Sequence, residues 1–329
     1  MTRLTVIGAG AWGTALAMVA RRAGSDVVIR ARDLAIAATI AERHENPVYL
    51  PGVVLDSAIR ATTDFAAAVA EVDAALLVVP AQFLRDVLAE FAALWPSALP
   101  LLLCAKGIET DSLKTMSEVV AERCPDNPLA VLSGPSFAAE VARDLPAAVT
   151  IASPNPAIAR EFAAALGSPR FRPYLSEDVT GVEIGGAVKN VLAIACGILD
   201  GLRLGDNARA ALITRGLAEM TRLGVAKGAR AETFAGLSGL GDLVLTCGGA
   251  QSRNHALGVA LGSGQSLAET LAGRRSVVEG VASAAAVAAL AARLGVEMPI
   301  VAAVDAVLHH GQAIAPMIEG LLARPRRAE

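Results

Sequence analysis

LTVIGAGAWGTALA, residues 4–17, is the stretch on which the fold turns. Leu4-Thr5-Val6-Ile7 is a short apolar run, of the kind that forms a strand buried on both faces. Gly8-Ala9-Gly10-Ala11-Trp12-Gly13 follows at once, and helical apolar spacing then continues through Leu16, Ala17 and Ala20. A second apolar run, Val27-Val28-Ile29, comes one helix later. GxGxxG spacing is weak alone, but strand, glycine turn, helix and strand in that order make it a dinucleotide-binding signal. Gly8 permits the tight turn. Gly10 lets backbone N–H groups approach a pyrophosphate at the helix N-terminus. Gly13 lets the helix pack closely on its strand.

Beyond this unit, strand-like runs recur at Ala74–Val79, Leu101–Cys104, Leu129–Leu132, Ala147–Ile151 and Phe171–Leu175. Helical patterns separate several of them, as at Phe83–Leu94 and Leu113–Glu122. Such alternation predicts a doubly wound α/β domain with a mainly parallel sheet. After about residue 180 the pattern changes. Ala208–Leu223, Thr233–Phe234, Ala256–Ala260, Leu267–Ala272, Ala282–Leu294 and Ile300–Leu308 all read as helical, with no clear strand among them. The expected division is an α/β domain over residues 1–180 and an all-α domain over 181–329.

At 329 residues the chain suits two domains better than one. A net charge of -3 gives no reason to expect a nucleic-acid partner. The basic end Arg324-Pro325-Arg326-Arg327 reads as a solvated tail. Cys104, Cys124, Cys196 and Cys247 are far apart and lack metal-ligand spacing, so the expectation is no metal and a reducing, cytoplasmic setting. No signal peptide is legible. The late apolar run Val281–Ala292 is too short to span a bilayer, so no membrane insertion is expected.

GVEIGGAVKNVLAIACGILDGLRL, residues 181–204, is apolar or glycine at almost every position from Val182 to Leu199. A helix apolar nearly all round is buried on most sides. Lys189 and Asn190 interrupt it. A lysine there must find a carboxylate, a ligand or water, or lose its proton. It is either a structural ion-pair partner or a catalytic acid/base. Two further stretches, Gly239-Leu240-Gly241-Asp242-Leu243 and Thr246–Asn254, read as polar, glycine-rich loops. Ser252-Arg253-Asn254 is either an anion grip, with an arginine fork and two short donors, or a helix cap with a surface arginine. Ile29-Arg30-Ala31-Arg32-Asp33 ends the second strand, where an adenosine ribose is addressed. The arginines favour a 2′-phosphate and NADPH; Asp33 keeps NADH open. Lys106-Gly107 and Ser133-Gly134-Pro135-Ser136 also follow strand ends, where ligands sit in such sheets.

These pieces together resemble the bacterial NAD(P)-dependent glycerol-3-phosphate dehydrogenases. The stretches that carry the resemblance are GAGAWGTALA (8–17), CAKGIE (104–109), LSGPSFAAEVA (132–142), GVEIGGAVKNVLAIACGILDGL (181–202), GLSGLGDLVLTC (236–247), SRN (252–254) and VVEGV (277–281). They cover nearly the whole chain in the family's order. The resemblance implies a Rossmann-like domain followed by an all-α C-terminal domain, and reversible reduction of dihydroxyacetone phosphate to sn-glycerol 3-phosphate for phospholipid synthesis. It implies Lys189 as proton donor/acceptor, with Lys106, Gly134, Ser136, Lys189, Asp242, Ser252, Arg253 and Asn254 on the substrate. Gly8, Gly10, Ala11, Trp12, Gly13, Arg32, Tyr49, Lys106, Ala138, Arg253, Val277 and Glu279 fall on cofactor positions for NADPH or NADH. A homodimer is also implied. Ala11 departs from the family's usual serine: a backbone contact survives that change and a hydroxyl contact does not. The stretch Gly248–Gln251 is also less typical of the family.

The chemistry is consistent with these residues. An alkoxide developing under hydride attack needs positive charge and a proton, and Lys189 offers both. Burial lowers a lysine pKa and a neighbouring Asp242 opposes that, so the two effects compete. Asn190 either orients the substrate or satisfies helix backbone. Two other readings compete: a related dehydrogenase acting on 3-hydroxy acids or ketopantoate, and a non-catalytic NAD(P)H sensor. Turnover of a phosphorylated ketone separates all three.

Overall fold

The structure, a computed structural model, describes residues 2–272 and 277–325. Arg326 and Arg327 of the basic end lie outside the described residues. One compact unit comprises Met1–Lys106 and Lys114–Glu183, and the other Gly107–Leu113 and Ile184–Glu329.

In the first unit the chain runs β1 (Arg3–Ile7), α1 (Ala11–Arg22), β2 (Asp26–Arg30), α2 (Leu34–Arg43), β3 (Glu45–Asn46), β4 (Leu50–Val54), β5 (Arg60–Thr62), α3 (Phe65–Val69), β6 (Ala74–Leu77), α4 (Leu84–Glu90), β7 (Leu101–Leu103), α5 (Met116–Arg123), β8 (Leu129–Ser133), α6 (Ala138–Ala142), β9 (Ala147–Ala152), α7 (Pro156–Leu166) and β10 (Phe171–Ser176). Eight strands form one sheet in the order β10-β9-β8-β7-β6-β1-β2-β5. The six from β8 to β5 are mutually parallel; β9 pairs antiparallel with β8 and parallel with β10. The mainly parallel, doubly wound expectation is thus met. All seven strand-like runs read from the sequence are strands.

Side chains of successive strand residues point to opposite faces, and both faces here are apolar. Leu4, Val6, Ala74, Leu76 and Leu102 join one core with α1, α2, α6 and α7. Ile7, Ala75, Leu77, Leu101 and Leu103 join a second core with α3, α4 and α5. That division explains why these strands read as continuous apolar runs. Two features escape such a reading. β5 is Arg-Ala-Thr, a short polar strand at the sheet edge, where polarity discourages further pairing. β3 and β4 form a separate antiparallel hairpin, and Pro51-Gly52 inside β4 reads as a turn.

The second unit is helical: most of α8 (Val179–Gly201), then α9 (Asp206–Ala226), α10 (Ala231–Phe234), α11 (Asp242–Gly248), α12 (Arg253–Gly262), α13 (Leu267–Leu271), α14 (Glu279–Arg293), α15 (Pro299–His309) and α16 (Ile314–Leu322). No strand occurs among its described residues. Pro316 lies in the first turn of α16, where its missing N–H has no intrahelical acceptor to lose. Asp178 starts α8 by accepting from Gly181 N at 2.9 Å. Among the described residues α8 alone is long and apolar enough to cross a bilayer, and its most apolar window is wholly buried within the fold.

The two stretches expected as loops are mostly helical. Leu237–Gly241 forms a π-helical turn that leads straight into α11, and Arg253 begins α12. Gly239 serves close packing, whereas a Cβ on Gly248 would meet nothing within 4 Å. A Cβ on Gly239 would meet the Phe234 carbonyl oxygen at 2.1 Å, and one on Gly185 would meet that of Ser238 at 2.3 Å. The crossing of α8 and α12 works the same way. A Cβ on Gly197 would fall 2.1 Å from the His255 carbonyl oxygen, and one on Gly258 would fall 2.1 Å from that of Ile194. Small residues at such a crossing let two backbones approach to contact.

Candidate functional site

In the first unit, the parallel strands end at one edge of the sheet, and the predicted ligand positions follow those ends. Gly8 has φ +119°, and its N–H donates to Arg30 O at 3.0 Å. A Cβ there would meet Val78 O at 2.5 Å, and one on Gly13 would meet Gly8 O at 2.0 Å. Only glycine suits both positions. Gly10 is different: a Cβ on it would meet nothing within 4 Å. Among the described residues no side chain caps the helix, and the position a Gly10 Cβ would take is open. Uncapped N–H groups facing an open cradle suit a phosphate. Ala11 supplies an N–H and no hydroxyl. Trp12 packs on the core, and its buried Nε1 has no partner among the described residues.

Beside this turn, Asp33 caps α2, accepting from Ala35 N at 2.8 Å and Ile36 N at 3.4 Å. Arg30 lies over the Phe91 ring, 4.7 Å from its centroid, while Arg32 is exposed. Tyr49 is half-buried, and its N–H donates to Asn46 Oδ1 at 3.3 Å. Lys106 Nζ donates to Gly134 O at 3.1 Å, and Ser136 Oγ donates to the same carbonyl at 3.0 Å. Three of the expected substrate positions therefore converge after β7 and β8. Ala138 opens α6 close by in sequence.

In the second unit, Lys189 Nζ lies 2.5 Å from Asp242 Oδ1 and 3.1 Å from Thr246 Oγ1. Lys189 is 7% exposed and Asp242 1%. Thr246 in turn donates to its own helix, at Asp242 O, 2.6 Å. Asn190 Nδ2 donates to Gly186 O at 3.3 Å, and its Oδ1 accepts from Asn254 Nδ2 at 2.9 Å. Asn254 Oδ1 accepts from Gly280 N at 2.9 Å, beside Glu279 at the start of α14. Asn190 and Asn254 thus join α8, α12 and α14. Ser252 is the N-cap of α12, its Oγ accepting from His255 N at 3.2 Å. Asn254 is buried, whereas Arg253 and Val277 are exposed.

Other buried ionisable groups have structural partners. Glu183 accepts from Ser117 N at 2.8 Å and Ser117 Oγ at 2.5 Å. Burial raises its carboxyl pKa, and the Ser117 bonds oppose that rise. Contact with Cys196 and burial push the Cys247 thiol up, and burial does the same to Cys104. All four cysteines are buried and free.

Comparison with known proteins adds a separate observation. A family model described as NAD-dependent glycerol-3-phosphate dehydrogenase N-terminus matches residues 3–159, and its C-terminus counterpart matches 178–319. The chain belongs to this family.

Similar relatives in the family include a glycerol-3-phosphate dehydrogenase [NAD(P)+] of Rhodospirillum rubrum, 57% identical over 99% of this chain and 93% of its own length. One of Caulobacter vibrioides is also 57% identical, over 99% of this chain and 98% of its own. The crystal structure of glycerol-3-phosphate dehydrogenase from Coxiella burnetii has a TM-score of 0.94 at 40% identity, over 98% of this chain and 99% of that one. Membership makes the chain an NAD(P)-dependent oxidoreductase.

Two residues at these sites went unread in the sequence. Asn46, 1% exposed, donates to Ala9 O at 2.9 Å and to Thr14 Oγ1 at 2.8 Å. It braces the glycine turn from the hairpin. The only trace it leaves is an Asn-Pro pair that reads as a turn. Thr246, the hydroxyl beside Lys189, lies four residues after Asp242 and so on the same helix face. That spacing becomes a signal only once the stretch is known to be helical.

Proposed function

We propose that the enzyme reduces dihydroxyacetone phosphate reversibly to sn-glycerol 3-phosphate with NADPH or NADH, and that Lys189 is its proton donor/acceptor. One observation carries this reading: a nearly buried ammonium held by one carboxylate and one hydroxyl. Such a lysine is oriented, shielded from bulk water and equipped with a proton. Lys189 hands that proton to the alkoxide oxygen on reduction and recovers it on oxidation. Asp242 and Thr246 hold Nζ in place through both directions.

The remaining assignments are those that the family resemblance implies. Arg253 neutralises the substrate phosphate, with Ser252 and Asn254 beside it. Ser252 Oγ accepts within the cap and keeps its own proton to donate. Lys106, Gly134 and Ser136 contact the substrate from the strand ends. For the cofactor, Gly8, Gly10, Ala11, Trp12 and Gly13 hold the pyrophosphate, and Arg32 reaches a ribose 2′-phosphate. Tyr49, Lys106, Ala138, Arg253, Val277 and Glu279 complete that set. Bound there, the reduced nicotinamide supplies hydride. Asp33, engaged as a cap, is less free to bind a ribose hydroxyl, which supports NADPH as the better donor. The family resemblance supports a cytoplasmic homodimer supplying the glycerol backbone of phospholipids; light scattering from the purified protein tests the dimer.

The deciding experiment follows nicotinamide absorbance with dihydroxyacetone phosphate, once with NADPH and once with NADH. Oxidation of either supports the reaction, and the ratio of rates gives the preference. No oxidation of either, by protein shown to bind the cofactor, overturns the substrate assignment.

A further inference from the structure

His255 follows Arg253 and Asn254 directly. Three bonds or contacts hold it. Its N–H donates to Ser252 Oγ at 3.2 Å, and its carbonyl oxygen lies where a Cβ on Gly197 would fall. Its Nε2 lies 2.8 Å from Asp200 Oδ2. A carboxylate only accepts, so Nε2 carries the proton and donates. Asp200 stands near the end of α8, three residues beyond Gly197, and Arg209 Nη1 of α9 lies 3.0 Å from each of its oxygens. The histidine and aspartate side chains are mostly buried, at 14% and 21% exposed.

The crossing beneath them explains why such a bond is needed. α8 and α12 meet through Gly197 and Gly258, backbone against backbone. Side-chain ridges set the angle and slide of most helix pairs, and this crossing has none at its closest point. A directional bond one turn away can supply the missing constraint. Asn254 reaches Asn190 and Gly280 with its amide ends only if the first turn of α12 is held at one rotation.

We propose that His255 is a positioning residue for substrate binding. Through Asp200 and Arg209 it holds the first turn of α12 at the rotation that aims Arg253 outward and Asn254 inward. This rests on the reading of Ser252-Arg253-Asn254 as the phosphate grip.

The test uses the full-length enzyme and two substrates, dihydroxyacetone phosphate and dihydroxyacetone, which lacks the phosphate. His255→Leu removes the donor to Asp200; His255→Gln keeps one; Arg253→Ala is the reference for the grip itself. His255→Leu is expected to raise the KM for dihydroxyacetone phosphate about tenfold, the scale of one lost hydrogen bond to a charged group. Its kcat should change far less, and kcat/KM for dihydroxyacetone should stay at the wild-type value. His255→Gln should recover most of the KM. Asp200→Asn, which keeps the shape and removes the charge, should raise KM in the same direction. If Arg253→Ala raises the KM while both His255→Leu and Asp200→Asn leave it unchanged, the His255 role is overturned and the grip stands. If Arg253→Ala itself leaves the KM unchanged, the grip fails and the proposal with it. An equal loss on both substrates in His255→Leu also overturns it, because a general folding defect does not distinguish them.

Discussion

Lys189 of α8 and Asp242 of α11 form a buried ion pair, Nζ to Oδ1 2.5 Å, with the Thr246 hydroxyl against the same ammonium. The pair is 53 residues apart in the chain and joins two helices of the core. Two charges taken out of water together are costly to separate, because the survivor is left buried and uncompensated.

Asp242→Ala should therefore destabilise the protein by about 3–5 kcal/mol, read from urea unfolding. Lys189→Met combined with Asp242→Leu should recover much of that stability with no recovery of turnover. Recovery of both would show that the pair acts only in folding.

Lys189→Ala should lower kcat by about 10²–10⁴, the usual scale for a lost general acid–base group. Steady-state kinetics with dihydroxyacetone phosphate measures it. Near-normal turnover would falsify the assigned role.

Gly280→Ala should disturb the asparagine bridge without touching either amide. The added Cβ would stand 2.7 Å from Asn254 Oδ1 and 2.8 Å from Asn190 O. Overpacking of this kind costs about 1–3 kcal/mol, and the KM for dihydroxyacetone phosphate should rise as Asn254 moves. Wild-type stability together with wild-type KM would mean that the bridge is slack.

Cofactor choice should separate into two residues with different tasks. Asp33→Ala removes the α2 cap and should cost about 0.5–2 kcal/mol, with little change in the NADPH to NADH ratio of kcat/KM. Arg32→Ala should lower that ratio and leave stability unchanged. A ratio that responds to Asp33 and ignores Arg32 would reverse the assignment.

Glu219 should give the protein a pH dependence of stability. It is 2% exposed and accepts from Ile300 N at 2.8 Å and Val301 N at 3.2 Å, at the start of α15. Burial pushes its carboxyl pKa from 4.5 up to about 7, against the pull of those two bonds. The folded state thus holds the proton longer than the unfolded state. Its contribution is full below pH 4.5 and is lost as pH rises through about 7. The scale is roughly 3 kcal/mol at most. Glu219→Gln should flatten the fall in urea midpoint across that window. An identical fall in both proteins would assign the slope to other groups.

Much of the fold follows from patterns that are local in the chain. Leu4–Ile7, the turn at Gly8–Gly13 and the helix after it state their geometry in consecutive residues, because backbone sterics and a buried strand leave few alternatives. The apolar length around Lys189-Asn190 likewise announces a buried helix containing a charge. The order of the motifs was enough to indicate the family. What needed the tertiary structure was most of the contacts between segments distant in sequence, the Lys189–Asp242 pair excepted. Asn46 braces the glycine turn from a hairpin whose strands are too short and polar to be read. Thr246 reads as part of a loop, since glycine-rich sequence usually means a turn, and Ser252-Arg253-Asn254 reads as an anion grip or a helix cap, Ser252 being the α12 cap. Here Gly239 brings two backbone segments into contact within a π-helical turn, and α11 starts where a loop was expected. Propensity along the chain therefore determined the strand–turn–helix frame and the identity of the lysine helix. Which hydroxyl joins that lysine and its carboxylate, and which amides bridge the helices around them, was decided by packing between helices, which depends on side chains that the local sequence does not bring together.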